Sequence, residues 1–365
     1  MKILVVSNMY PDTKHPSYGI FVKNFCKQLK YIGKDYELSV MHKADKKSQK
    51  IIKYIIFYIK TFLKCIFKKN DLIYIHYASH SAAPVLAARK VKKCKIYTNV
   101  HGSDVVPENK KQEKLQKYTI ALLNISSKVI VPSEYFKNLV CEKYDISEKK
   151  VYIFPSAGID AGKFFPMKQD KIDVEKYKYH INPQKITFGM AGRISSKKGW
   201  DTFLEAINIT ILNGYEANFI IVGDGDESDK LEDKLLYLGL EKKVIFIKKL
   251  LAQDELAKFY SMLDWFVFPT KREGESLGLV AIEAMACKTP VIASDFAAPK
   301  FYVENGVNGY KYECGNTMAL AALITSLIKK EVDETILKEG AYKTAKKFWT
   351  DNIISKLELI FNEDY

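Results

Sequence analysis

Two cationic side chains in the second half of the chain have the types and spacing needed to hold a phosphate group. The segment AGRISSKKGW follows an apolar, β-prone run and precedes a helical one, and it carries Arg193 and Lys198. In a loop that leaves a strand, two such cations could converge on one phosphate or pyrophosphate. The alternative is ordinary surface charge on a loop, which the pair taken alone does not exclude.

The segment FPTKREGESLGLVAIEAMACKTPVIAS adds carboxylates to this chemistry. We predict that a strand ends at Pro269 and that a helix begins near Ser276 to Leu279 and runs to Cys287. Backbone N–H groups at a helix start bind anionic oxygen atoms. Glu275 would stand at the mouth of this helix and Glu283 two turns along, on roughly the same face, where paired carboxylates suit sugar or ribose hydroxyls. Alternatively, Glu275 is a helix N-terminal acid favoured by the helix dipole.

Alternating strands and helices must position these residues. Short apolar runs such as KILVVSNM, LIYIHYA and KVIVPS alternate with helical stretches in the first half, and KITFGMAG, NFIIVGDGD and TPVIAS do so in the second. This rhythm is typical of parallel sheets covered by helices on both faces. We therefore predict an α/β protein with two doubly wound parallel-sheet domains. Its site should lie beyond the carboxyl ends of the strands, in the cleft between the domains.

A polar stretch, PMKQDKIDVEKYKYHINPQK, separates the two halves. We expect an N-terminal domain over residues 1–166, a linker over 167–185 and a C-terminal domain over 186–346. Residues 347–365 are predicted to form a closing helix, which could pack back on the first domain. The first strand is not followed by GxGxxG, and the chain has no GxxxxGK[ST] motif, which argues against a Rossmann dehydrogenase and a P-loop enzyme.

The composition favours a folded protein and disfavours nucleic acid as a partner. The 365 residues are 47% hydrophobic and 27% charged, with a formal net charge of +14. Residues 1–175 hold 32 Lys and Arg against 16 Asp and Glu, whereas residues 176–365 hold 25 against 27. The basic half carries no zinc-finger spacing, RNP-like run or recognition helix. The six cysteines form no CxxC pair, and no run resembles a signal peptide or a membrane span, so we expect reduced thiols in the cytoplasm.

The densest basic segment, residues 43–69, holds nine lysines and one acid among many large apolar residues. Lying flat on an anionic membrane, it could bury Ile55, Phe57, Ile59 and Phe62 while its lysines meet lipid headgroups. The alternative is a surface helix whose apolar stripe packs on its own domain while the lysines remain in water. The sequence leaves both interpretations open.

Taken together, the motifs make the chain resemble the family 4 glycosyltransferases of the GT-B fold, over nearly its whole length. ESLGLVAIE, with its continuation EAMACKTPVIAS, matches the family's motif of two glutamates separated by seven residues, and AGRISSKKG matches its GR…KG element. VGDGDE matches the VGDG loop, and VYIFPSAGIDAGKFFP matches the exit from the first domain. The resemblance implies two facing Rossmann-like domains with an interdomain cleft, and retaining transfer of a sugar from a nucleotide-sugar without a cofactor.

The resemblance also implies roles for the residues that bind the donor. Arg193 and Lys198 would hold the pyrophosphate, Glu283 the ribose hydroxyls and Glu275 the donor sugar. Glu273 could compete with Glu275 for the last role, but the spacing to Glu283 favours Glu275.

Two further loops complete the implied donor site: one at the predicted helix start in the second domain, and one in the first domain. The backbone N–H groups of Gly278 and Leu279 would bind the distal phosphate, which agrees with the helix start argued above. Gly19, in the loop HPSYGIF, would approach the phosphates or the acceptor. This loop differs from the glycine pair commoner in the family.

A histidine of the first domain would lie close to the transferred sugar. His101, in NVHGSDV, directly follows a predicted strand. A neutral imidazole there could bind sugar hydroxyls or assist the acceptor, or it could be a structural loop residue. Asp104 could orient His101 or cap the next helix. His76 and His80 form a second histidine pair near the strand ends and could contact the acceptor.

One acidic pair resembles a metal site. Asp224 and Asp226 form DGD, the pattern that binds a divalent metal in the other large glycosyltransferase fold. Here the two aspartates end the run NFIIV within the VGDG loop, and no further acidic or histidine ligand is evident nearby. We therefore predict a turn and an enzyme that needs no metal ion.

The predicted function is transfer of a sugar, from a UDP-sugar, to a saccharide or lipid-linked saccharide in bacterial envelope polysaccharide synthesis. The enzyme would be cytoplasmic, with peripheral contact to the anionic inner face of the membrane. Two alternatives remain: a hydrolysing nucleotide-sugar epimerase of the same architecture, and a non-enzymatic basic protein that binds membrane or nucleic acid. An epimerase would not need the pair Glu275 and Glu283 beside the GR…KG element. A non-enzymatic basic protein would leave both motifs unexplained.

Overall fold

The chain folds into two compact α/β units. The computed structural model describes residues 1–16, 18–155, 158–329 and 333–362. The first unit comprises Met1–Gly158 and Ile353–Tyr365, and the second comprises Ile159–Asn352. Within the described residues, no helix is both long and apolar enough to span a bilayer.

The first unit is built on a six-stranded parallel sheet with strand order β2-β1-β3-β4-β5-β6. The strands are β1 (Lys2–Tyr10), β2 (Asp35–His42), β3 (Leu72–His76), β4 (Lys95–Asn99), β5 (Lys128–Val131) and β6 (Val151–Ile153). The helices between them are α1 (Ile20–Tyr31), α2 (Lys47–Phe67), α3 (Ala78–Val91), α4 (Lys110–Ile125) and α5 (Glu134–Tyr144).

The second unit repeats this architecture with strand order β12-β11-β10-β7-β8-β9, again all parallel. Its strands are β7 (Thr187–Ala191), β8 (Asn218–Val222), β9 (Val244–Ile247), β10 (Trp265–Phe268), β11 (Val291–Ser294) and β12 (Gly309–Tyr312). Its helices are α6 (Gln169–Lys178), α7 (Trp200–Leu212), α8 (Ser228–Tyr237), α9 (Gln253–Ser261), α10 (Leu279–Ala286), α11 (Thr317–Ile328) and α12 (Glu334–Lys346), and α13 (Thr350–Asn362) follows.

The central strands are buried on both faces, which explains their continuous apolar runs. Every residue of β3 and of β7 is buried. In each unit one apolar core lies on either side of the sheet, so the helices form two outer layers. The two predicted doubly wound parallel sheets are therefore confirmed.

The division between the units falls at residue 158 rather than at 166. Ile159 and Phe164 are buried in a core of the second unit, and Ile159 pairs with Trp349. The segment 167–185, expected as a linker, holds α6 and counts with the second unit. Four side chains of α13 are buried in a core of the first unit: Ile353, Leu357, Ile360 and Phe361.

The topology brings three loops of the second unit together. β10 and β8 lie on either side of β7, and the carboxyl ends of parallel strands meet at one edge of the sheet. The loops that follow β7, β8 and β10 therefore lie side by side. They carry AGRISSKKG, VGDGDE and the segment that leads to Glu275.

Candidate active site

Close backbone contacts lock these three loops to each other. A Cβ on Gly223 would lie 1.9 Å from the carbonyl oxygen of Gly192, and a Cβ on Gly199 would lie 1.8 Å from that of Pro269. Both distances are far below any real contact, and Gly199 also has a left-handed φ of +81°. Glycine is thus required at both positions, because any side chain would push the loops apart.

Arg193 lies in the loop that follows β7, and its side chain is largely exposed to solvent. Its guanidinium lies 3.6 Å from Asp226, and both side chains are about two-thirds exposed, at 67% and 65%. Such a pair contributes little to stability, so the guanidinium can turn to a phosphate at small cost.

The first aspartate of the DGD sequence makes hydrogen bonds within its own loop. The Asp224 carboxylate accepts hydrogen bonds from the Gly225 N–H at 2.8 Å and from the Ser228 hydroxyl at 2.9 Å. These contacts are those of a turn stabilised by an aspartate side chain. In the part of the chain that the structure describes, no three His, Cys, Asp or Glu side chains are grouped so as to hold a metal ion.

Lys198 and Glu275 meet in an ion pair. The Lys198 Nζ lies 2.6 Å from Oε2 of Glu275, and the two side chains are only 19% and 11% exposed. The Thr270 hydroxyl donates to the same carboxylate oxygen at 3.4 Å. The sequence named both residues as ligands of the donor but gave no sign that they bind each other, since they are 77 positions apart.

Gly278 sets the start of α10. It precedes the helix with φ 74° and ψ 51°, and a Cβ there would lie 2.7 Å from the Phe268 ring and 2.9 Å from the Tyr302 hydroxyl. The N–H groups of Gly278 and Leu279 precede the first intrahelical bond, which Ala281 donates to the Gly278 carbonyl. The helix start therefore has the predicted place and can receive anionic oxygen atoms.

One part of the helix prediction is wrong. Because α10 covers only Leu279–Ala286, Glu275 lies four residues before the helix, in the preceding loop. The argument that Glu275 and Glu283 share a helix face therefore fails. Glu275 is instead positioned by its contacts with Lys198 and Thr270.

Glu283 is a largely buried carboxyl group inside α10. Its Oε2 accepts a hydrogen bond from the Tyr260 hydroxyl at 3.2 Å, and Tyr260 itself has no exposed surface. Burial raises the pKa of Glu283 to about 7, and the bond from Tyr260 opposes that rise. Glu283 therefore changes charge near neutral pH.

With Glu283 as the predicted acceptor of the ribose hydroxyls, this titration predicts how donor binding should depend on pH. An ionised carboxylate accepts hydroxyl bonds on both oxygens, so donor KM should fall about tenfold from pH 6 to pH 8 as Glu283 ionises. Steady-state kinetics of wild type and Glu283→Gln across this range check the prediction. The Gln variant should show a higher KM without that slope. Equal slopes in both proteins would contradict the assignment.

The same shift makes a prediction about stability. Because the pKa of Glu283 is higher in the folded than in the unfolded state, the unfolded state loses its proton at lower pH. The free energy of unfolding of the wild type should therefore fall as pH rises from about 4.5 to about 7. The loss is on the order of 3 kcal/mol, and Glu283→Gln should escape it. Urea unfolding at pH 5 and pH 8 measures the difference, which should be clearly smaller in the variant.

In the first unit, His101 follows β4 and contacts a second histidine. Its Nε2 lies 3.0 Å from Nδ1 of His76, and the Phe21 ring lies 4.4 Å from the His101 ring. Burial lowers the pKa of His101 to about 3, so the imidazole is neutral. His80 lies in α3 instead, where its Nδ1 is 2.9 Å from the Ser79 hydroxyl.

Asp104 orients the His101 loop through the backbone. Its carboxylate accepts the N–H groups of His101 at 3.0 Å and Gly102 at 2.8 Å, and also that of Ala78, the first residue of α3, at 3.0 Å. The next helix, α4, is capped by Asn109 instead. The capping alternative for that helix is therefore wrong, because Asp104 serves its own loop and the preceding helix.

Gly19 has a structural requirement of its own. It precedes α1 with a φ of +73°, and a Cβ there would lie 2.6 Å from the carbonyl carbon of Met9. Ser17 of the same loop lies outside the described residues, as do Ser156 and Ala157 of the predicted exit from the first domain. The close approach to Met9 accounts for glycine at this position, and a role toward phosphate or acceptor remains a prediction.

Comparison with known proteins agrees with this fold and these motifs. Residues 171–344 match the model "Glycosyl transferases group 1", and residues 30–161 match "Glycosyltransferase Family 4". The chain is 30% identical over 239 residues to the capsular polysaccharide biosynthesis glycosyltransferase CapM of Staphylococcus aureus, a match that covers 64% of this chain and 61% of CapM. It is 26% identical to an uncharacterised glycosyltransferase of Methanocaldococcus jannaschii over 100% of this chain and 98% of that protein.

A solved structure shares the whole architecture. HepE of Anabaena, in complex with UDP, superposes with a TM-score of 0.77 at 18% identity, and the match covers 100% of both chains. The shared fold and the two family models thus define a glycosyltransferase with the GT-B fold. Within that class, the chain belongs to the family 4 glycosyltransferases. The epimerase and the non-enzymatic protein are thereby set aside.

Proposed function

We propose that this glycosyltransferase moves a sugar from a UDP-sugar to a saccharide or lipid-linked saccharide, with retention of anomeric configuration, in the assembly of a bacterial envelope polysaccharide. The observation that carries the proposal is the meeting of Lys198, Glu275 and the start of α10 at one sheet edge. HepE in complex with UDP and the capsular role in the name of CapM support the donor and the pathway class.

Each group at this edge has a distinct task in the proposal. Arg193 and Lys198 neutralise the pyrophosphate, and the N–H groups of Gly278 and Leu279 bind its distal phosphate. Glu283 accepts the ribose hydroxyls, and Glu275 accepts hydroxyls of the sugar. This division gives the anionic half of the donor to cations and the hydroxylated parts to carboxylates.

Retention is proposed to follow from stabilisation of the leaving group. As the bond from the anomeric carbon to the pyrophosphate breaks, the two cations and the helix N–H groups hold the growing negative charge. The acceptor hydroxyl then enters on the face that the pyrophosphate leaves, over an oxocarbenium-like sugar. Without donor, Lys198 holds Glu275 at 2.6 Å, so the carboxylate is already placed before the lysine turns to the pyrophosphate, which suits a group that orients the sugar rather than one that attacks it.

The reaction is proposed to need no metal ion, since protein cations take the place of Mg²⁺. The purified enzyme should release UDP from a UDP-sugar in the presence of acceptor, and EDTA should leave the rate nearly unchanged. A panel of UDP- and GDP-sugars, read by nucleotide diphosphate release and by NMR of the product anomer, tests both points. If EDTA abolished the activity and Mg²⁺ or Mn²⁺ restored it, the result would instead support a metal site at the DGD loop.

A membrane-held acceptor is proposed from the surface of α2. The side of this helix that carries Phe57, Thr61 and Cys65 is buried in the first unit. Another side is exposed and apolar, and seven side chains between 44% and 77% exposed share it: Ile51, Ile52, Ile55, Ile56, Ile59, Leu63 and Phe67. Their spacing of three and four residues places them along one face.

The structure corrects which residues could enter a bilayer. The sequence named Ile55, Phe57, Ile59 and Phe62, but Phe57 is 2% exposed in the core and Phe62 packs against it. Ile55 and Ile59 remain available, at 54% and 56% exposed. The helix is therefore apolar on two sides: one packs on its own unit, as the surface-helix alternative expects, and the other is the face that we propose meets the membrane.

Charge favours an anionic lipid surface as the partner of this face. The helix carries five lysines and no acidic residue. Of these, Lys64 pairs with Glu37 at 2.7 Å and Lys53 donates to the Lys43 carbonyl at 2.6 Å, while Lys47, Lys50 and Lys60 are exposed. A second copy of the chain would bring lysines against lysines, whereas anionic headgroups would neutralise them.

A further inference from the structure

The pair formed by His76 and His101 carries chemistry that the proposed donor site does not use. Nδ1 of His76 lies 3.0 Å from Nε2 of His101, and the two rings are nearly parallel, with 26° between their planes. His76 is 1% exposed at the end of β3, enclosed by Phe25 and Tyr74 with ring centroids at 4.7 and 5.0 Å. Both imidazoles are neutral, since burial lowers the pKa of each.

One proton must lie between the two facing nitrogens, because a hydrogen bond between neutral imidazoles needs one N–H and one lone pair. The other nitrogen of His76, Nε2, is buried and has no hydrogen-bond partner among the described residues. If that nitrogen carried a proton, a buried N–H would have no acceptor, which is rarer in proteins than a buried acceptor without a donor. The proton of His76 therefore belongs on Nδ1.

We infer that His76 is a positioning residue: its Nδ1–H donates to Nε2 of His101 and thereby holds His101 in the tautomer that carries its proton on Nδ1. The bond occupies the Nε2 lone pair, so His101 meets its ligand only through an N–H. His101 is then a fixed hydrogen-bond donor to a hydroxyl oxygen of the sugar or acceptor, not a base. The loop is already held by Asp104, so His76 controls the ring rather than the backbone.

The tautomer can be observed in the protein without any substrate. In ¹⁵N-histidine-labelled full-length enzyme, which has six histidines, the His101 signals are assigned from their loss in His101→Ala. We expect wild-type His101 to show a protonated Nδ1 and an unprotonated Nε2. In His76→Phe the Nε2 tautomer should gain population, while in His76→Asn, whose side-chain amide can donate from nearly the place of Nδ1, the wild-type pattern should return. An unchanged His101 pattern in His76→Phe would overturn the inference.

Kinetics test the consequence, which rests on the proposed role of His101 beside the transferred sugar. We expect His76→Phe to lower kcat about tenfold with little change in donor KM, and His76→Asn to recover most of the loss. In a His101→Ala background, His76→Phe should cost nothing further, because the two residues act as one unit. Thermal unfolding confirms that the variants fold. A changed tautomer with wild-type kcat would remove the positioning role but leave the donor-site proposal intact, whereas equal losses in His76→Phe and His76→Asn would indicate packing alone.

Discussion

Replacing Lys198 with alanine is expected to lower kcat/KM for the nucleotide-sugar by about 100-fold or more. Loss of one preorganised group that stabilises developing charge costs that order in enzymes. Lys198 is the more buried of the two cations proposed to bind the phosphates, at 19% exposed against 67% for Arg193, so its charge is less screened. Arg193→Ala should reduce turnover in the same direction.

The ion pair with Glu275 requires a matched set of variants. Lys198→Ala leaves a carboxylate whose side chain is 11% exposed without its cation, so thermal unfolding of Lys198→Ala and of Lys198→Ala/Glu275→Gln measures how much stability the unpaired carboxylate costs, and Glu275→Gln alone gives the activity lost with Glu275. Lys248→Ala serves as a surface control, since that lysine pairs with Asp229 and Glu232 on α8. We expect the double variant to regain thermal stability but not activity. Wild-type kcat/KM in Lys198→Ala would refute the phosphate role.

The second large effect is expected at the membrane. Changing Ile52, Ile56 and Ile59 to serine should lower the partition coefficient on anionic liposomes by about 100-fold, since each side chain should contribute about 1 kcal/mol when half buried. Changing Lys46, Lys47, Lys50 and Lys53 to glutamine should weaken binding mainly at low salt, because salt screens the lysines in wild type. Co-sedimentation at low and high salt distinguishes the two contributions.

A control for this experiment lies in the second unit. Leu236 in α8 is 67% exposed, and Leu236→Ser removes a comparable apolar side chain without touching α2. It should sediment as wild type does. If the isoleucine variant also sediments as wild type, α2 is an ordinary solvated surface and the proposal that it contacts the membrane fails. A shift of wild type from monomer to dimer without lipid would identify a second copy as the partner instead.

Local patterns predicted most of the architecture. The buried central strands are mostly apolar runs, and the helix start predicted between Ser276 and Leu279 is observed at Leu279. The two strands that escaped prediction, β2 and β12, lie at sheet edges, where DYELSVMH and GYKY mix polar with apolar residues. An edge strand is covered on fewer sides, so its sequence carries a weaker signal.

Contacts between residues that are far apart in the chain could not be predicted from the sequence. Lys198 and Glu275 belong to different loops and meet only because β7 and β10 are neighbours. His76 and His101 likewise meet because β3 pairs with β4 in register, His76 opposite Asn99. Residue types identified the candidates in each case, but strand order decided which of them bind each other.

The ion pair between Lys198 and Glu275 also affects which anions can bind to the enzyme before the donor does. The Lys198 ammonium already has its charge balanced by the Glu275 carboxylate, so a simple anion such as inorganic phosphate meets a neutralised lysine and lies near a carboxylate to which it offers no hydrogen. In the proposed donor site, a sugar diphosphate would satisfy both members of the pair at once, because its phosphate would bind the lysine while its hydroxyls would donate to the glutamate. The pair would then select against the abundant phosphate of a cell and favour a molecule that carries a charged and a hydroxylated part together.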